Sequence, residues 1–230
     1  MGKEFEIRRE VVLPATPEAV WEAVATGPGT ASWLFPEDPG PDAKVESDHP
    51  HRFAVRTEGP GGFNAIEFVI EGRDGGTTLL RYVHSGVIAE ENWDDQFDAV
   101  DGHTDFYLHT LGQYLEHFSP KTATYVGGGP GGLMGPEASM TPDAFETLKQ
   151  TLGVSGEGDR VRVPIDDVDG VVDFFTPHFL GIRSDQALYR FFGRNAFGGP
   201  VGMSIHHFGD GVDAEAAGAE WTRWLAGVYA

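Results

Sequence analysis

The sequence predicts an α+β fold built on an antiparallel sheet. Three observations carry this: an opening strand with period-two alternation, hairpin-linked strands broken by glycine-rich turns, and an amphipathic helix closing the first half, in that order. Phe5, Ile7, Val11 and Leu13 alternate with polar and charged positions and define the first strand. Next comes Pro14-Ala15-Thr16-Pro17-Glu18-Ala19-Val20-Trp21. There Thr16 suits an N-cap, Pro17 the first helical position and Glu18 the positive helix end. A short helix over roughly Pro17 to Ala25 follows, burying Val20, Trp21 and Val24, and Gly27-Pro28-Gly29 ends it.

Turn chemistry at Gly59-Pro60-Gly61-Gly62 and Arg73-Asp74-Gly75-Gly76 separates strands Arg52–Thr57, Phe63–Glu71 and Thr77–His84. On the last of these, Leu80, Tyr82 and His84 share one parity and Arg81 the other, which turns the apolar, aromatic face inward. An acidic segment, Glu90 to Asp101, leads into a helix from about His103 to Phe118. Its stripe is Tyr107, Leu111, Tyr114, Leu115 and Phe118, at helical spacing.

Residues 121–140 hold the run Gly127-Gly128-Gly129-Pro130-Gly131-Gly132 and read as a linker or long loop between a domain at 1–120 and a second unit at 141–230. No Lys-Ser or Lys-Thr follows these glycines, so they do not form a phosphate loop. In the second half, Thr141-Pro142-Asp143-Ala144-Phe145 echoes Thr16-Pro17-Glu18-Ala19-Val20. Val201, Met203, Ile205 and His207 alternate like Thr78, Leu80, Tyr82 and His84. Strands are expected around Arg160–Pro164 and Val201–His207, then a final helix over Asp213 to Tyr229 bearing Trp221 and Trp224. The second half therefore reads as a smaller α+β unit, and a shortened, divergent repeat of the first is one reading of it.

Composition acts mainly by exclusion. A formal charge of −20 repels phosphate backbones and anionic lipid surfaces, so neither nucleic acid nor a membrane is expected as a partner. The chain has no cysteine, which removes disulfides, thiol nucleophiles and thiolate metal sites. A charged N-terminus and the lack of long apolar runs suggest a soluble, cytoplasmic protein. Association into a homo-oligomer is left open.

Pro14 to Trp21, the pair Trp33-Leu34, the stretch Gly76-Thr77-Thr78-Leu79-Leu80 through His84-Ser85-Gly86, and Leu111 through Leu115 carry a resemblance. In this order they resemble the activator of heat-shock-protein-90 ATPase homologue-like family, within the START-like or polyketide cyclase (SRPBCC) superfamily, over roughly residues 5–118. His103 departs from the family pattern, which often has Trp after Gly102, and the family's Pro-rich start to a strand is not evident. The resemblance implies a helix-grip fold, in which a curved antiparallel sheet wraps the long C-terminal helix and leaves an apolar cavity between them.

Trp33, Phe35, Phe68, Leu80, Tyr82, His84 and Phe106 are the expected ligand contacts, drawn from a wider aromatic set that includes Phe53, Phe63, Trp93 and Phe97. The leading expectation is binding of a small hydrophobic or aromatic molecule without catalysis. A cyclase, aromatase or hydrolase-type enzyme acting on a polyketide-like or aromatic substrate is the alternative. His84 is its best acid–base candidate because imidazole titrates near neutrality. A chaperone ATPase-activating interaction protein is the third reading. No cofactor and no metal are expected. The pairs His49/His51 and His206/His207 lack helix-borne spacing or a carboxylate partner, and Asp166-Asp167-Val168-Asp169-Gly170 lacks the alternating ligands of a calcium loop.

Overall fold

The chain divides into unit 1, Met1–Lys121, and unit 2, Thr122–Ala230. The computed structural model describes residues 2–36, 39–59, 61–89, 93–128 and 131–230. Pro60 in the first expected turn, residues 90–92 of the acidic segment and residues 129–130 of the glycine run lie outside the described residues. Among the described residues no helix is long and apolar enough to cross a membrane.

Unit 1 runs β1 (Gly2–Leu13), α1 (Pro17–Ala25), α2 (Gly27–Thr30), β2 (Lys44–Asp48), β3 (Arg52–Gly59), β4 (Gly62–Arg73), β5 (Thr77–Ala89) and α3 (Trp93–His117). Its sheet has the order β1-β5-β4-β3-β2, every neighbouring pair antiparallel. Register fixes the faces: Phe53 opposes Phe68 and Phe68 opposes Tyr82, while Val55, Ile66, His84 and Ile7 form the next row. The other face is a ladder of charges. Arg52 reaches Glu46 at 2.7 Å and Glu67 at 2.5 Å, and Arg81 reaches Glu10 at 2.8 Å and Glu71 at 3.1 Å. Such exposed pairs add little stability each, yet they keep this face in water and so fix which side is inward.

The terminal helix packs along β1 and β5. It begins at Trp93, ten residues before the expected start, because Trp93, Phe97 and Val100 recur at helical spacing and pack on Phe5, Ile7 and Ile88. Acidic residues between them mask that stripe in the sequence. The same acids do structural work: Arg9 on the inward face of β1 binds Asp101 at 2.7 Å and Asp105 at 2.6 Å, one helical turn apart. A sheet gripping a long C-terminal helix is the helix-grip arrangement.

Unit 2 runs β6 (Thr124–Val126), β7 (Leu133–Met134), α4 (Ala144–Leu152), β8 (Arg160–Val163), β9 (Val168–Phe175), β10 (Phe179–Ser184), β11 (Ala187–Phe192), β12 (Gly202–His207) and α5 (Ala214–Val228). The sheet order is β6-β12-β11-β10-β9-β8, with β7 also on β12. As in unit 1, the first strand lies beside the last, the others follow in descending order, a short helix follows the opening strands and a terminal helix closes the unit. Segment 121–140 is therefore not a linker. It supplies β6 and β7, two pieces of an opening strand too short to show alternation. Relative to unit 1 the sheet has seven strands in place of five, while the terminal helix shrinks to 15 residues from 25.

The core of unit 2 lies between α4, α5 and one sheet face, around Leu148, Tyr189, Phe191, Ile205, Trp221 and Leu225. On the opposite sheet face Arg190 binds both oxygens of Asp173, at 2.8 and 3.0 Å, with both side chains buried. Gly181 stands opposite Arg190, and a Cβ there would fall 2.2 Å from the Asp173 carboxylate, so only glycine leaves room for the pair.

Candidate functional site

Unit 1 contains a cavity of about 420 Å³. One wall is the inward face of β3 and β4, where Phe53, Val55, Ile66 and Phe68 sit in register, with Val45 of β2 at the margin. The facing wall is the corner between α1 and α2, with Val24, Thr30, Trp33 and Leu34.

Local chemistry makes that corner sharp. The Thr26 hydroxyl donates to the Glu22 carbonyl at 2.7 Å and accepts from the Gly29 amide at 3.0 Å, closing one helix while capping the next. Gly29 is required by close approach, since a Cβ there would lie 1.9 Å from the Glu22 oxygen. Trp33 is then pinned over the sheet: its indole N–H donates to the Ala23 carbonyl at 2.8 Å and its ring meets Phe68 edge-on at 6.5 Å. Phe53 is braced by Trp21 at 5.9 Å, and Phe68 by Tyr82 at 5.4 Å.

The cavity's polar end is the cross-strand pair Thr57 and Asn64. Beside it stands His84, whose Nε2 lies 2.7 Å from Asn64 Oδ1 and whose ring meets Phe5 edge-on at 5.1 Å. Burial pushes the His84 imidazole down to about 4, because a charged ring would lose its hydration there. At neutral pH the ring is uncharged, and the Asn64 oxygen requires its proton on Nε2.

The expected site residues are thus distributed over three environments. Trp33 and Phe68 line the cavity. Tyr82 and His84 stand beside the wall, on the next strand of the same sheet face, in contact with Phe68 and Asn64. Leu80 and Phe106 are fully buried core, and Phe35 packs edge-on against Tyr107 of α3 at 6.2 Å. Among the described residues none from α3 lines the cavity, so its expected place between sheet and C-terminal helix is corrected to the α1–α2 side of the sheet. On the α3 side, Phe106 and Leu111 are fully buried. Val55, Asn64 and Ile66 were missed, although carrying the β5 parity across two hairpins places all three inward.

The histidine pairs do not converge. His49 stacks edge-on against Trp21 at 5.0 Å, His206 meets Tyr125 at 5.3 Å, and His207 accepts from the Gly209 amide at 3.0 Å. Among the described residues no group of three or more His, Cys, Asp or Glu side chains is placed to hold a metal ion.

Fold and cavity together define a two-unit α+β protein whose first unit is a helix-grip domain with a largely apolar, open cavity. No protein-family profile and no curated protein sequence matches the chain. Among solved structures it is similar to the di-domain ARO/CYC BexL from the BE-7585A biosynthetic pathway, with 13% identity over 96% of this chain and 93% of that one, at a TM-score of 0.43. It is also similar to DynU16 from the dynemicin biosynthetic locus, with 17% identity over 97% and 96% of the two chains, at a TM-score of 0.40. The Aha1 protein of Colwellia psychrerythraea is similar to 49% of this chain over 96% of its own length, with 20% identity and a TM-score of 0.39.

Proposed function

We propose that the protein binds a small hydrophobic or aromatic molecule in the unit 1 cavity. The observation that carries this is the cavity itself, about 420 Å³ of mostly apolar lining with a polar pair at one end. Unfilled apolar space of this size forfeits packing energy, and a ligand restores it. An acid–base enzyme is supported less. His84 is not among the cavity-lining residues, a base with a pKa near 4 is weak at neutral pH, and no carboxylate among the described residues bonds to it.

Two substitutions test the proposal together with native mass spectrometry for copurified ligand. Val55→Trp places an indole in the cavity and should weaken binding at least about tenfold while changing stability by about 1 kcal/mol or less. Leu80→Trp enters packed core instead, and should destabilise by about 1–3 kcal/mol with binding retained. Wild-type affinity in Val55→Trp would show that the ligand goes elsewhere.

A further inference from the structure

We infer that the ligand of this cavity is uncharged and ends in a hydrogen-bond acceptor, such as a ketone or ester carbonyl, received by the side-chain amide N–H of Asn64. The inference rests on the binding role proposed above and concerns what that site selects.

None of the described lining residues is ionisable. An anionic or cationic group drawn into this space would lose part of its hydration, and no charged side chain among the described lining residues replaces it, which disfavours it compared with a neutral group. The protein's charge of −20 adds to the penalty for an anion. The hydrogen bonds already made then decide the polarity of the polar end. Thr26 has both given and taken a bond within the α1–α2 corner. The Thr57 hydroxyl donates to the Asn64 main-chain carbonyl at 3.4 Å. Asn64 Oδ1 is occupied by His84 Nε2. That bond uses one of the two Oδ1 lone pairs and fixes the amide, and the NH2 group is the donor that Asn64 offers a ligand. Thr30 stands on the opposite wall, where its hydroxyl can give or take a bond. His84 is neutral, so it places no positive charge beside Asn64 to attract a carboxylate. Its N–H instead fixes which way the amide points, making His84 a positioning residue and Asn64 the selecting one.

The test uses three probes of one shape: fluorene, fluorenone and fluorene-9-carboxylate, competing against Nile red in the full chain. Fluorenone should bind about twofold to tenfold more tightly than fluorene, the span of one net hydrogen bond. The carboxylate should bind at least about tenfold more weakly than fluorene. Asn64→Leu should bring the affinity ratio of fluorenone to fluorene to about one, and that ratio is the readout whatever the change in fluorene affinity itself. His84→Leu should lose the preference for the ketone too, because the amide is free to turn, whereas His84→Gln, which keeps an N–H donor, should restore it. Equal binding of fluorene and fluorenone, with Val55→Trp expelling both, overturns this inference and leaves the binding role standing. Tighter binding of the carboxylate does the same. Failure of Nile red and all three probes to bind, or binding that Val55→Trp does not affect, overturns the binding role and this inference with it.

Discussion

In unit 1 the inward faces of β3 and β4 look across open space toward the α1–α2 corner, whereas in unit 2 the same sheet face is closed by side chains. Trp221 of α5 has no exposed surface and lies among Tyr189 at 5.7 Å, Phe191 at 6.4 Å and Trp224 at 5.3 Å. From the other side α4 inserts Phe145 and Leu148 and stops at Gly153, whose left-handed φ of 71° ends the helix without a second turn of helix to follow. Unit 1 replaces that stop with the α1–α2 corner, which sets Trp33 at the rim of the space instead of in its middle. Strand order does not decide whether a helix-grip sheet is hollow. The size and placement of a few aromatic side chains do.

The largest test of this contrast is a pair of truncations. Trp221→Ala should cost about 3–5 kcal/mol, since neighbours on every side lose contacts and cannot collapse into the hole. Ile66→Ala, on a wall that already borders empty space, should cost about 2 kcal/mol or less. Chemical denaturation followed by circular dichroism measures both. Equal costs would mean that the two interiors are packed alike and that the cavity closes in solution.

A smaller effect comes from the half-buried neutral histidine of unit 1. The unfolded chain takes up a proton near the ordinary histidine pKa of about 6.5, but the folded protein refuses it until about pH 4. Between those values the unfolded state holds more protons, so stability falls as pH drops through the window and levels off below it. The loss should reach about 2–3 kcal/mol, and His84→Gln should lack it. Carboxylates also titrate in this range, so the quantity to measure is the difference between wild type and variant at pH 7 and pH 4.5. Parallel pH profiles would place His84 in water and remove the reason for its fixed orientation toward Asn64.

How much of this was legible follows from which residues alternate. The strands β1, β3, β4 and β5 face charge on one side and apolar groups on the other, so period two and their glycine turns reveal them. Strand β2 escapes notice because all five of its residues are exposed and nothing in Lys44-Val45-Glu46-Ser47-Asp48 records a buried face. For the opposite reason β11 carries no period: all six of its positions are buried, Arg190 among them, so neither face is marked by exposed polar residues. Of the site, Trp33 and Phe68 were readable as aromatics. Asn64 was not, because its role depends on a cross-strand partner, His84, 20 residues away.

The echo between Thr16-Pro17-Glu18 and Thr141-Pro142-Asp143 supplies the smallest and most local comparison. In unit 1 the sequence motif and the helix start coincide: Thr16 is extended, accepts from the Ala19 amide at 3.4 Å, and Pro17 is the first helical residue. In unit 2 the helix starts at Ala144, two residues later than the echo implies, and Asp143 occupies the cap position with no side-chain bond. The Ala144 amide bonds instead to the main-chain carbonyl of Thr141 at 3.0 Å, and Asn195 holds the Thr141 and Pro142 carbonyls at 3.0 Å each. One start is therefore set by a cap and the other by a tertiary clamp. Thr16→Ala should cost about 1 kcal/mol, the usual worth of an N-cap side chain, whereas Thr141→Ala and Asp143→Ala should each cost a few tenths at most. Asn195→Ala should exceed both unit 2 substitutions, because it leaves two carbonyls to find new donors. Thermal denaturation of the four variants measures the order, and a Thr141→Ala loss equal to that of Thr16→Ala would restore a true cap to unit 2.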